Sequence, residues 1–520
     1  MAVRTGSQGC AGADADADSG ALSGWRRREA LASLLACGSA AAAWVRPAQA
    51  AGSARRVTLG TTQEPSSLDP TMDALAAVGG ATHYNILEGL TRIEESGSVA
   101  PLLAEHWSAS DDGLHYRFHL RQGVYFHDGS ALAAQAVRFS FERAAAPGST
   151  NKARKALFAN MARIEARGTH QIDITLHHAD AQFLFHLGEN TAVILHPDSA
   201  GQAATQPVGT GPYRLDRWTK GHSLRLVRAP HHDRGTPQIE EGVFRFITDP
   251  DQQAAALDDG ELDFLFQFAT PTVQRFERNA GFQLLVGASS GKAMLALNNR
   301  RKPLDDARVR RALTHAIDRE SLIRQAFGGR GVPIGSHFAP TDPGYLHLES
   351  LYPYNPETAR ALLAEAGVRT PLRLQLALPP TPYAVTGAPL LAHYLAAVGI
   401  RVEPVPMTWA QWLAGPFKGD FDMTFINHVE PLDYLIYTDP AYYFHYDSSA
   451  FRALVARHAT STNARERQQL FARIQRFLAH DAVNAWIYTP QVGTVARKGL
   501  RGAWVNYPIV AHDLAAMWWE

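Results

Sequence analysis

Along the first half of the chain, apolar and polar residues alternate with period two. Within residues 114–120, Tyr116, Phe118 and Leu120 alternate with His115, Arg117 and His119, and within 171–176 Ile172, Ile174 and Leu176 repeat the pattern. Successive side chains on a strand point to opposite faces, so both segments are predicted as half-buried strands that leave His115 and His119 toward water. Residues 223–227 and 243–247 share the period, and Asp249-Pro250 then opens a helix that Gly260 closes. After residue 290 the pattern changes to helix alternating with strand. Residues 305–327 carry a long amphipathic helix pattern with Val309, Ala312, Leu313, Ala316 and Ile317 on one face, a break near Asp318 and Gly328 as its stop.

Asn355-Pro356 places a capping side chain before a proline at the first helical position, and that helix runs to Gly367. Residues 372–378 read as a strand, 384–398 as a helix and 400–405 as a second strand. Such a βαβ unit implies a parallel pair with a right-handed crossover. A strand at 421–426 is predicted to join the same sheet. The chain thus divides near residue 290 into a strand-rich half and an α/β half.

A chain of 520 residues, 46% hydrophobic and 19% charged, is too apolar for a disordered protein and too long for one ordinary core. After residue 50 it has no run of about 18 uncharged apolar residues, and it is therefore expected to be soluble. The first fifty residues read as an address. Arg26-Arg27-Arg28 precedes an Ala/Leu-rich stretch at 30–45 and then Ala48-Gln49-Ala50, which is expected to be cleaved after Ala50. The paired arginines and the weakly hydrophobic core resemble a twin-arginine signal, and export to the periplasm follows. The rival is lipid attachment at Cys37, but the segment between Arg28 and that site is shorter than a signal core requires.

Five of the 50 basic and four of the 50 acidic residues lie in that leader, which leaves 45 against 46. Near-neutrality argues against nucleic acid as the partner. Both cysteines, Cys10 and Cys37, fall in the leader as well, so the remainder is held by its core without disulfides.

Several residues imitate an active site. Gly287-Ala288-Ser289-Ser290-Gly291 matches the G-x-S-x-G nucleophile elbow, but that elbow needs a helix after it and residues 292–298 read as a strand. Gly209-Thr210-Gly211-Pro212 lacks the lysine and spacing of a phosphate loop and is a turn. Among 22 histidines the pairs His177-His178 and His231-His232 look like metal ligands. Neighbours on a strand face opposite ways and neither pair has a third ligand at metal spacing, so these are expected to be surface residues. No catalytic residue, metal site or cofactor is assigned.

Taken in order, several stretches resemble the family 5 solute-binding proteins, the dipeptide-, oligopeptide- and nickel-binding receptors of ABC importers. They are Glu64-Pro65-Ser66-Ser67-Leu68-Asp69-Pro70, the run from Leu102-Leu103-Ala104-Glu105-His106-Trp107 to Phe126-His127-Asp128-Gly129, and Pro207-Val208-Gly209-Thr210-Gly211-Pro212-Tyr213, with 257–263 and 308–318 further on. The resemblance implies an α/β fold of the two-lobe periplasmic-binding-protein type, with mixed sheets and an extra subdomain in the first lobe. Residues 1–50 would be the signal peptide, 51–288 lobe I with its inserted strand-rich subdomain, 289–492 lobe II, and 493–520 a return to lobe I. It makes Trp107 a core aromatic and Asp128-Gly129 a turn leading into a helix at 131–143.

Ligands of such folds are gripped by loops at strand ends. The loop after the 421–426 strand reads Asn427-His428-Val429-Glu430-Pro431-Leu432-Asp433-Tyr434. In dipeptide-binding relatives an aspartate in this loop holds the peptide ammonium and an earlier arginine holds the carboxylate. Here the acid is Glu430 or Asp433, and Pro379-Pro380-Thr381-Pro382-Tyr383 stands where the arginine belongs. The expected ligand residues are Tyr383, Trp409, Asn427, His428, Glu430 and Asp433, with His428 and Glu430 hydrogen-bonding the solute and Tyr383 and Trp409 as apolar walls. The resemblance implies a monomer that captures a small polar solute (peptide, opine, glycoside or metal chelate) without catalysis and delivers it to ABC transporter permease subunits. The rivals are an exported hydrolase, which would rest on Ser289, and a binding protein that serves chemosensing.

Overall fold

The computed structural model describes residues 55–73, 75–266, 275–461 and 463–520, so the expected signal segment lies outside the described residues. Its largest sheet runs, in spatial order, through Ile400–Pro406, Leu372–Leu378, Met423–His428, Lys292–Leu297, Ala485–Arg497, Phe264–Phe266, Arg56–Thr61, Glu241–Phe246, Ser223–Arg228 and Tyr213–Thr219. The strand Ala485–Arg497 links its two ends. Ala485 to Tyr488 pair with Lys292–Leu297, and Gln491 to Arg497 pair with Phe282–Ala288. Because Phe282–Ala288 and Lys292–Leu297 are themselves consecutive, the chain passes between the two parts of the sheet twice, at 288–292 and at 490–491.

The βαβ unit is present: Leu372–Leu378 and Ile400–Pro406 pair in parallel across the helix Pro382–Ala396. The break near Asp318 is also present. Asp306 and Asp318 each accept a backbone N–H as N-caps, so the single pattern resolves into Ala307–Ala316 and Arg319–Phe327, and Gly328 stops the second helix at φ 60°. The four strands Ala104–Ala109, His115–Leu120, Gln171–Leu176 and Met161–Arg167 form a separate antiparallel sheet. Phe118, Ile172 and Ile174 bury one face of it against Phe141, and Trp107 packs half-buried at its margin.

Two features depart from expectation. The helix after Asp128-Gly129 begins at Ala134, because Asp128 Oδ1 accepts the Ser130 N–H and closes a local turn first. His232 is not a surface residue: its side chain is only 7% exposed, drawn toward Glu88, whose buried carboxylate is paired with Arg234. A buried carboxylate needs such partners because its desolvation is otherwise uncompensated.

Separate cores flank the crossing. Leu295, Leu297, Val309, Leu376, Leu391 and Phe425 form one, and Val57, Leu59, Leu226, Phe244 and Phe264 another. Leu500, Trp504, Tyr507 and Leu514 near the C-terminus belong to the second. Among the described residues no helix is long and apolar enough to cross a membrane.

Candidate ligand site

A cavity of about 430 Å³ lies where the shared strand crosses, with Pro490, Gln491, Val492 and Gly493 lining it. Ala76, His83, Lys152, Glu189 and Asn190 come from elements before the first crossing, and Tyr507, Ile509 and Val510 from the C-terminal segment. Ser290 and Gly291 lie in the first crossing itself, and Arg330, Asn427, Val429, Glu430 and Pro431 come from elements after it. The elements before the first crossing bring one cation and one anion, Lys152 and Glu189, and those after it bring Arg330, which is ion-paired with Glu277 at 3.0 Å, and Glu430.

Two buried polar atoms on this lining, His83 Nε2 and Asn427 Oδ1, have no hydrogen-bond partner among the described residues. Such groups are rare in folded chains because the missing bond is costly. His83 is 1% exposed, and burial, assisted by the Arg92 guanidinium, depresses its pKa to about 3, so its ring is neutral. Glu189 is held by His186 Nδ1 at 3.0 Å. Burial opposes charge on His186, but the hydrogen bond and charge of Glu189 outweigh it and raise the imidazole to about 9.

The six residues expected from sequence are placed differently from one another. Asn427 and Glu430 line the cavity, whereas Tyr383 stands behind it, its hydroxyl accepting the Asn427 N–H at 3.0 Å. Trp409 is outside the lining: it is 43% exposed and packs edge-on against Trp412. His428 and Asp433 turn inward. Asp433 accepts from Lys292 Nζ at 2.9 Å, from His337 Nε2 at 2.8 Å and from His428 Nδ1 at 3.1 Å. Of the two acids left open by sequence, Glu430 is the one that faces the cavity.

The far ring nitrogens are satisfied too, His337 Nδ1 by the Tyr437 hydroxyl at 2.9 Å and His428 Nε2 by that of Tyr443 at 2.8 Å. Burial opposes the Asp433 charge, but His337, Lys292 and both ring hydrogen bonds hold its carboxyl well below the usual range. Burial pushes His337 down to about 4, against the pull of Asp433, which leaves the fully buried Lys292 as the standing counter-charge. His337, His428 and Asp433 offer ligand atoms within 4.8 Å of one another, a donor set a metal would accept. The Lys292 ammonium already neutralises the carboxylate they share.

Ser289 is not an activated nucleophile, since its hydroxyl donates to the Pro490 carbonyl at 2.7 Å. Periodicity missed His83, Lys152, Glu189, Asn190, Arg330 and Gln491. None belongs to a motif, and only the chain crossing brings them together; the isolated glycine pair Gly328-Gly329 before Arg330 was the one local sign of a turn there.

Two α/β parts joined by crossing strands around a polar cavity make this a two-lobe periplasmic-binding-protein fold. Solved structures share it: HbpA2 from Haemophilus parasuis has a TM-score of 0.82 at 22% identity, covering 89% of this chain and 100% of that one. The ABC transporter-associated periplasmic binding protein DppA from Helicobacter pylori, in complex with peptide STSA, has a TM-score of 0.75 at 24% identity over 89% and 98% of the two chains. Residues 98–450 match the bacterial extracellular solute-binding proteins, family 5 (middle region), and the chain belongs to that family. The glutathione-binding protein GsiB of Escherichia coli O1:K1 is 31% identical over 325 residues, 62% of this chain. That match spans 63% of the length of GsiB.

Proposed function

We propose that this protein is the periplasmic substrate-binding component of an ABC importer that captures a small zwitterionic, peptide-like solute and passes it unchanged to the membrane permease. The observation that carries this reading is that both signs of charge line each side of one cavity, Lys152 and Glu189 on one side and Glu430 and Arg330 on the other, with Glu189 held by His186 and Arg330 by Glu277 at 3.0 Å. A solute bearing both an ammonium and a carboxylate finds a partner for each end, and His83 and Asn427 gain the hydrogen bonds they lack. Arg330, while it keeps its ion pair with Glu277, then stands where a solute carboxylate can add to it, in place of the family's carboxylate-binding arginine that is missing from 379–383.

In this reading residues 51–288 with the return at 493–520 form lobe I and 289–492 lobe II, hinged at the two crossings. A solute favours the closed form only through contacts made to both lobes there, which lets the permease distinguish loaded from empty receptor. Membership beside GsiB makes glutathione the first solute to try.

A thermal-shift panel on the purified protein tests the reading, with glutathione, dipeptides, an opine, a glycoside and a nickel–histidine chelate. A solute at a hundred times its Kd stabilises by about 2.7 kcal/mol. A response to the zwitterions, with the solute recovered intact, is expected. Turnover of the solute, or no response to any member, overturns it.

A further inference from the structure

Lys292 is 0% exposed, yet it does not face the cavity beside its neighbour Gly291. Its ammonium is spent on the next loop: one contact goes to the Asp433 carboxylate at 2.9 Å and another to the main-chain carbonyl of Glu430. A single side chain therefore ties together the two ends of the segment 430–433. Between those ends Leu432 has φ 54°, a left-handed conformation that a branched residue adopts only when its surroundings impose it. Its side chain is 4% exposed in an aromatic core with Tyr434, Tyr437 and Tyr443, and Asp433 is further fixed by His337 and His428.

We infer that Lys292 is a positioning residue, which with Asp433 clasps the strained turn at Leu432 and so aims the Glu430 carboxylate into the ligand cavity to receive a solute ammonium. Lys292 binds the Glu430 carbonyl and not its carboxylate, so the negative charge stays on the cavity lining, where among the described residues the carboxylate accepts a hydrogen bond from the Val429 N–H at 3.3 Å. The inference rests on the reading of this cavity as the solute site.

The test uses the Lys292→Met/Asp433→Asn double variant, which removes both charges together and strands neither. Two readouts separate the clasp from the function. The first needs no ligand: hydrogen exchange of the amides of Glu430, Leu432 and Asp433 is expected to speed up at least tenfold while Leu372–Leu378 is unchanged. Unaltered exchange overturns the clasp even if solute binds normally. The second is selectivity, the ratio of Kd for N-acetylglutathione to Kd for glutathione. A misaimed Glu430 brings that ratio toward one, whereas general loosening weakens both probes equally and overturns the inference. If the wild-type protein binds neither probe, the functional reading is what suffers, and the exchange result still decides the clasp. Should the double variant not fold, Tyr443→Phe, which removes the support behind His428, is expected to speed exchange at Asp433, and no change counts against the clasp. One tightly held zinc in the wild-type protein, lost in His428→Gln, would also overturn it, because Lys292 would then not be the counter-charge.

Discussion

Tyr383 holds the main chain of Asn427: the phenol oxygen, on the first turn of Pro382–Ala396, accepts the Asn427 N–H at the end of Met423–His428. The tyrosine thus serves the cavity from behind, by fixing the strand end from which the unpartnered Asn427 Oδ1 is presented. Tyr383→Phe is expected to cost about 1–3 kcal/mol, the penalty of leaving a largely buried donor unpaired. Urea denaturation checks the stability. Titration with the best solute of the panel is expected to show a weaker Kd as well, because the amide is less well placed.

Whether a residue's place was legible in the sequence depended on how local its cause was. The caps at Asp249 and Asn355 act over three residues and the sequence names both, whereas Asp318 was legible only as a break in one long pattern and Asp306 was not singled out. Period-two patterns likewise identify Gln171–Leu176, where one face meets a core and the other meets water. The inward turn of His428 and Asp433 was not legible, because it is set by Lys292 and His337, which are 141 and 96 residues from Asp433. A carboxylate in a cleft loop and one in a buried cluster look the same in a string of letters. Trp409 illustrates the converse, since an aromatic residue near a predicted cleft invites a role as a wall while the helix Trp409–Ala414 turns it outward and buries Trp412.

Glu430 and Trp409 therefore separate cleanly by substitution. Glu430 is exposed within the cavity lining, so Glu430→Gln is expected to leave the unfolding midpoint unchanged. A charge-assisted hydrogen bond contributes about 1.5–3 kcal/mol, so the affinity for an ammonium-bearing solute is expected to fall by roughly 10- to 150-fold. Trp409→Ala is expected to leave that affinity within twofold. Isothermal titration of both variants against the wild-type protein measures the contrast.

The His186–Glu189 pair gives stability a pH signature. His186 is raised to about 9 in the folded protein, while an unfolded histidine titrates near 6.5. Between those values the native state binds the extra proton, so the contribution is complete below about 6.5 and is lost as pH rises through 9. Stability of the wild-type protein minus that of His186→Gln is expected to decline across this window and to level off above it. Urea melts at pH 6, 7.5 and 9.5 read the trend, and a difference that grows with pH would contradict the pairing.

Gly287 and Ser289 share a motif that resembles a nucleophile elbow, yet the structure gives them unrelated tasks. A Cβ on Gly287 would stand 1.8 Å from the Val505 carbonyl oxygen, because the C-terminal segment lies directly over this strand, and Asn506 Oδ1 accepts the next N–H, from Ala288, at 3.0 Å. The glycine is needed for close approach of two backbones and not for a tight catalytic turn. Gly287→Ala must displace main chain, which in packed interiors costs about 1–3 kcal/mol. The displaced segment carries Tyr507, Ile509 and Val510 into the cavity lining, so solute affinity is expected to fall together with stability. Ser289→Ala removes two hydrogen bonds, the one donated to the Pro490 carbonyl and the one accepted from the Gly291 N–H, each about 0.5–1.5 kcal/mol, and is expected to lower stability while the solute is still bound and returned unchanged. If the elbow were catalytic the order would reverse, with Ser289→Ala abolishing the protein's action on its solute while Gly287→Ala mattered less; denaturation and titration of the two variants side by side distinguish the cases.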